Sequence, residues 1–439
     1  MMASFLAEYS GDATPLANKT NLSGVKDNDK ATSSLVENKG WNLLHAASQG
    51  GDVDIIESML SLGLDINSRD SLGTTPLMVA AASGKMEAVD FLLVKGADPS
   101  LTTNIGRNLL HAAAEGGNLS IVETMLSKHI AVDSEDNDGI TSLMIAASKN
   151  NLEIVDYLLG KGADPNLQSK KGRNVFLIAA EYGSIAVIER LLSCGLNIDS
   201  RDGEGNTPLM CAAALAKLET FNLLLEKGAD PLLRGKSGWS LLHFACQGGN
   251  VAIIETILSH EIDIDETANS VGDLTPLVVT IVFNKLEAMN YLLDKGADPS
   301  LENSLRKVNS LHLATIGGNI DIIDAILSRR FDINTPSSEG LTSLMFAAFT
   351  NNVAVVEYLL QKGADPALSD HLGRTCLHYA SEGGDVTVIE KCLSDGVDVE
   401  SKDNEGKTPL MLAAAKGNSD AVKYLLQRSA IPSQTGTAE

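Results

Sequence analysis

The five letters KGADP occur five times, ending at Pro99, Pro165, Pro231, Pro299 and Pro366, at intervals of 66, 66, 68 and 67 residues. Self-similarity at a fixed period means one supersecondary unit copied many times, each copy unable to bury its apolar face alone. A 439-residue chain would otherwise read as two or three closed domains, and the period displaces that reading. Aligning on the glycine before each TPL-like start gives about twelve units of roughly 33 residues, from Asn38 to Ile431. Each reads as loop, helix, short turn, second helix and linking loop.

The unit beginning at Ser71 shows why. Gly73 allows the tight approach turn, Thr75 caps the first helix with its hydroxyl, and Pro76 stands where its missing N–H costs nothing. Leu77, Ala80 and Ala81 give a thin apolar face that lets helices approach closely. The second helix follows Gly84, with Val89, Leu92 and Leu93 at helical spacing. Lys95 suits the negative end of that helix, Gly96 suits a left-handed cap, and Pro99 stops the helix restarting. KGADP is therefore a helix stop signal followed by the start of a loop.

These letters resemble the ankyrin repeat. That family's G-x-T-P-L-H-x-A-A, I-V-x-x-L-L and G-A-D pattern is matched by GTTPLMVAA with AVDFLLVKGADP, GNTPLMCAA with TFNLLLEKGADP, and GKTPLMLAA with AVKYLLQRSA. The resemblance covers about nine tenths of the chain. It implies an all-α ankyrin-repeat solenoid of stacked antiparallel helix pairs with projecting hairpin loops, whose concave surface is built from loop tips and the exposed side of the first helices. It implies no particular chemistry.

The true period is double. Even units carry TPLM-like starts at Thr75, Thr141, Thr207, Thr275, Thr342 and Thr408. Odd units carry LLHAA-like starts and, in five of the six, a double glycine, with Asn42, Asn108, Asn174, Ser240, Asn309 and Thr375 as caps. Five odd units place a histidine alike: His45, His111, His243, His312 and His378, with Leu177 in the fifth unit. Two layers of helices separate consecutive histidines by roughly 20 Å, whereas zinc ligands sit at about 2.1 Å. The histidines cannot share an ion, and the resemblance implies that they brace neighbouring loops.

Composition narrows the function. A formal charge of -23 with 44% hydrophobic residues describes a foldable acidic chain and argues against nucleic-acid binding, which needs a dense basic surface. The apolar run from Leu274 to Phe283 is too short to cross a bilayer, so direct membrane insertion is not expected. The N-terminus shows no signal-peptide pattern. Five cysteines without a CxxC pair fit a reducing interior. The expected location is the cytoplasm, with the nucleus as alternative. Phosphate-cradling, HExxH, triad and kinase motifs are lacking, so no enzyme, cofactor or metal is expected.

The expected function is a non-catalytic interaction scaffold or adaptor, monomeric, holding a partner protein or an acidic or mixed extended peptide. The alternatives are a substrate-recognition subunit of a ubiquitin ligase, kinase or phosphatase, and an adaptor tethering membrane proteins to the cytoskeleton. Odd tips carry Lys39, Arg107, Lys170, Lys171, Arg173, Lys236, Arg306, Lys307 and Arg374, while even tips are mostly neutral or acidic. Trp41 and Trp239 directly follow the turn glycine, and tryptophan and arginine are common interface anchors. The expected contacts are Trp41, Arg107, Arg173, Tyr182, Trp239, Phe283, Phe349 and Arg374. By resemblance alone, Asn166 with Leu158 eight residues before it is a hydroxylation candidate; Asn67 and Asn334 have Met59 and Ile326 instead.

Residues 1–37 read as a disordered polar leader, 38–431 as the repeat array and 432–439 as a disordered tail. His129, Glu261 and Arg330 stand where a capping glycine is expected, each costing about 1 kcal/mol if the left-handed conformation is kept. Residues 262–340 break the period and are expected to be the softest part of the array.

Overall fold

The computed structural model describes residues 40–268, 273–302, 308–393 and 397–429. The leader and tail expected from sequence, together with Lys39, Arg306 and Lys307, lie outside the described residues. So do parts of the expected soft region, 269–272 and 303–307. Among the described residues the structure holds 24 helices, with isolated antiparallel bridges Glu135–Thr141 and Ala268–Leu274 in place of strands. The chain divides into two compact units, up to Ala245 and from Cys246. The boundary falls inside the helix Leu241–Gly248.

Within each compact unit, a first helix packs on the first helices of neighbouring repeats and on its own second helix. Pro76–Ala82 and Met86–Val94 form one such pair. Being enclosed on several sides explains the composition of the first helices: every residue from Pro76 to Ala81 is buried. The second helix has only one covered side and buries Ala88, Val89 and Leu92. Thr75 Oγ1 accepts from the Met78 amide at 3.3 Å, and the other even threonines repeat the cap. Asn42, Asn108, Asn174 and Asn309 cap the odd first helices with their side-chain oxygens.

The aspartate of KGADP has its own place in the stack. Its backbone N–H donates to an Asn or Asp side chain of the preceding repeat. Asn67, Asp133 and Asp199 receive Asp98, Asp164 and Asp230 at 2.9–3.1 Å in the first compact unit. Asp265 and Asn334 do the same for Asp298 and Asp365 in the second. The loop tips join in a similar way. The amides of Asn104, Asn137, Lys170, Gly203 and Lys236 each donate at 2.8 Å to a carbonyl one tip earlier.

The histidines brace the stack as the resemblance implied. Nε2 of His45, His111, His312 and His378 lies 3.1, 2.9, 3.0 and 3.3 Å from the carbonyl of Thr74, Ile140, Thr335 and Lys407 respectively. A carbonyl only accepts, so Nε2 carries the proton. Burial lowers the pKa of all four, that of His312 to about 4. His129, Glu261 and Arg330 keep the left-handed cap, with φ of 63°, 57° and 61°. Asn150, Ala216, Asn284 and Asn351 adopt the same conformation after the even first helices.

Candidate partner-binding face

The expected contacts lie at the hairpin tips and at the ends of the first helices, where Arg107, Arg173 and Arg374 each reach a glutamate near the far end of the helix that follows. Their exposure differs from the sequence reading. Trp239 is 1% exposed, packed on His243 and Phe244 with ring centroids 5.9 and 5.4 Å away. It is a core residue, and as an exposed anchor it is corrected. Trp41 is half-buried, 5.1 Å from His45. The residue after the turn glycine points back over its own helix, where a flat ring finds apolar cover.

The arginines at the same repeat position are likewise engaged within the protein. Arg173 is 9% exposed and its guanidinium meets the Glu181 carboxylate at 2.8 Å. Burial pushes the Glu181 pKa up, opposed by the Arg173 charge. Arg107 reaches Asp136 at 3.2 Å and Glu115 at 3.9 Å, and Lys149 adds a contact with Glu115 at 3.8 Å. Arg374 sits 3.8 Å from Glu382 and 3.9 Å from Asp403, with its guanidinium 5.8 Å from the Tyr379 ring centre. The expected line of available arginines is corrected: each spans from its own helix toward an acid and is neutralised there.

Sequence carries a signal for this pairing. Arg107, Arg173 and Arg374 each have a glutamate eight residues on, whereas Trp41 and Trp239 have Gln49 and Gln247. The partner at the end of the helix follows the residue at its start.

Among the other expected contacts, Tyr182 is 37% exposed and Leu215, at the end of the next first helix, is 40% exposed. Phe283 and Phe349 are half-buried, Phe349 in an edge contact with Tyr379 at 6.4 Å. Asn166 is exposed, its backbone and side-chain amides both on Asp164 Oδ1, and Leu158 is fully buried. Exposed apolar side chains at the tips, Leu72 and Ile105 in the first compact unit and Leu372 in the second, were not singled out from sequence. Nor was Arg201, because it does not flank a turn glycine.

Among the described residues no group of three or more His, Cys, Asp or Glu is placed to hold a metal ion, and no helix is long and apolar enough to cross a membrane.

A family profile described as "Ankyrin repeats (3 copies)" matches residues 7–103, 77–169, 143–235, 232–303, 284–370 and 366–435. The chain belongs to the ankyrin repeat family. Ankyrin repeats are a protein–protein interaction module, typically a non-catalytic binding scaffold.

The human transient receptor potential cation channel subfamily A member 1 is 30% identical over 134 residues, 29% of this chain and 12% of the channel. The ANK repeat-containing protein nipk-1 of Caenorhabditis elegans is 33% identical over 92 residues, 20% of this chain and 15% of that one. The palmitoyltransferase AKR1 of Lachancea kluyveri is 28% identical over 116 residues, 26% of this chain and 15% of that one. Each match thus spans under a fifth of the relative's length. The human ASB11 ankyrin repeat domain is similar at a TM-score of 0.47 and 29% identity, over 52% of this chain and 100% of that domain.

Proposed function

We propose that this ankyrin protein is a non-catalytic scaffold or adaptor that holds a partner protein on its hairpin-and-first-helix face. The observation that supports this reading is how the repeats differ. Caps, bracing histidines and stacking hydrogen bonds recur from unit to unit, while the residue just before the turn glycine changes from Leu72 to Ile105, Asp138, Lys171, Glu204 and Ser237. Stacking does not require that variation, because these side chains point away from the packed helices; Leu72 and Ile105 are 62% and 49% exposed. Variable exposed apolar and charged groups on a rigid frame suit recognition.

We further propose a reducing compartment, the cytoplasm being the simplest. All five cysteines are free thiols, and burial raises the pKa of Cys211 and Cys246, which favours the inert thiol over the reactive thiolate.

The test is a crosslinking pull-down from cell lysate with two serine variants. One changes Leu72, Ile105, Tyr182 and Leu215; the other changes Ile55, Leu62 and Val94 on the second-helix side. Partners lost with the first variant and kept with the second support the proposal. The reverse pattern moves recognition to the second helices.

A further inference from the structure

The internal pairing of Arg107, Arg173 and Arg374 separates cations that are consumed from cations that are not. At the tips of the fifth, sixth and seventh repeats, all within the first compact unit, Lys170, Lys171, Arg201 and Lys236 are exposed. Among the described residues no carboxylate lies within ion-pair distance of Lys170, Lys171, Arg201 or Lys236. These tips adjoin one another: the Gly203 amide donates to Lys171 O and the Lys236 amide to Glu204 O, both at 2.8 Å.

Two of the side chains are held by neutral carbonyls. Lys236 Nζ donates to Gly203 O at 2.6 Å, and Arg201 Nη1 donates to Gly205 O at 3.2 Å and Arg234 O at 3.0 Å. A carbonyl orients a cation without cancelling its charge, so the group is fixed and its field remains. The acids of these three tips are Asp202 and Glu204, and Asp202 spends its carboxylate on the amides of Glu204 and Asn206. Lys170, Lys171, Arg201 and Lys236 stand against two carboxylates, in a chain of net charge -23.

We propose that the tips of repeats five to seven dock an acidic peptide segment of the partner protein. This deepens the proposed function and rests on it. Charge complementarity selects the occupant: its carboxylates meet Lys170 and Lys171 at one end and Arg201 and Lys236 at the other. Two layers at about 10 Å each give a reach near 20 Å, which about six extended residues cover at roughly 3.3 Å each. The exposed acids Glu135 and Asp138 of the fourth repeat, whose Asp138 carbonyl receives the Lys170 amide, set the N-terminal limit of the site by repulsion. A peptide rather than nucleic acid fits so short a run of cations bordered by acid.

The experiment titrates the full chain into the fluorescein-labelled peptide EDEDEDE at low ionic strength, reading anisotropy. One variant combines Lys170→Glu, Lys171→Glu and Lys236→Glu. A second, with the same change in net charge, combines Lys128→Glu, Lys161→Glu and Lys227→Glu at the ends of second helices. The expected result is binding weakened at least about tenfold by the tip reversals and much less by the second set, with salt weakening the parent protein's binding. Equal losses in the two variants, or no loss in the first, overturn the proposal. Tighter binding of a fluorescein-labelled single-stranded oligothymidylate, sensitive to the same tip reversals, overturns it in favour of nucleic acid. If the peptide fails while partner capture still depends on Leu72, Ile105, Tyr182 and Leu215, the docking inference falls and the scaffold reading stands.

Discussion

His312 makes the acid stability of the second compact unit predictable. It is fully buried on the helix Ser310–Gly317, with Nε2 3.0 Å from Thr335 O and Nδ1 accepting from the Asn309 amide at 3.2 Å. Its pKa falls from 6.5 to about 4 because burial penalises the imidazolium. A histidine depressed in the folded state lets the unfolded chain take up the proton first. Its contribution is therefore full above pH 6.5, declines as the pH falls toward 4, and declines no further below that. Between pH 7.5 and pH 4.5 this one side chain removes roughly 2–3 kcal/mol, on the order of a hundredfold in an opening equilibrium.

The substitution that isolates the effect is His312→Leu, since Leu177 already fills this place in the fifth repeat. The variant loses the bond to Thr335 and about 1–3 kcal/mol at neutral pH. The assay is hydrogen exchange by mass spectrometry on the peptide covering Ser310–Gly317, corrected for the intrinsic pH dependence of exchange. Wild-type protection should fall on the order of a hundredfold more between the two pH values than that of the leucine variant. An identical pH response in the two proteins would refute the assignment of this proton to His312.

Arg173→Ala should cost about 3–5 kcal/mol by urea unfolding, because it leaves the Glu181 carboxylate buried without its partner. Arg173→Trp combined with Glu181→Gln installs the Trp239 and Gln247 arrangement, and should cost at least about 1 kcal/mol less than the two single changes summed. Ala216→Gly and His129→Gly relieve left-handed φ values of 56° and 63° and should each stabilise by about 1 kcal/mol in thermal melts. Within the repeat array, exchange should be fastest at 262–340, and a uniform profile along the array would remove that expectation.

The helices were legible because their signals are local. Thr75 and Pro76 start one, Gly96 and Pro99 end the next, and the chemistry of each residue acts within a turn of itself. Three left-handed caps on non-glycine residues were readable from the missing glycine alone, and the bracing histidines from the resemblance. Burial at the hairpins was not, because it depends on what the next repeat supplies. Arg107 is neutralised by Asp136, 29 residues away, and Arg374 by Asp403 in the same manner. Trp239, by contrast, is covered within its own repeat, by His243 and Phe244. The pairing of each arginine with a glutamate eight residues on lay in the letters, yet its meaning appears only when the helix brings both ends together. Of the expected tip cations and contacts, the candidate face keeps Lys170, Lys171, Lys236 and Tyr182, and it adds Arg201, Leu72, Ile105 and Leu215.

The most direct test of partner binding on the hairpin-and-first-helix face is lysine crosslinking mass spectrometry of the protein with a captured partner. The account predicts that crosslinks to the partner concentrate on Lys170, Lys171 and Lys236 at the tips. Crosslinks concentrated on Lys128, Lys161 and Lys227 at the ends of the second helices would contradict it.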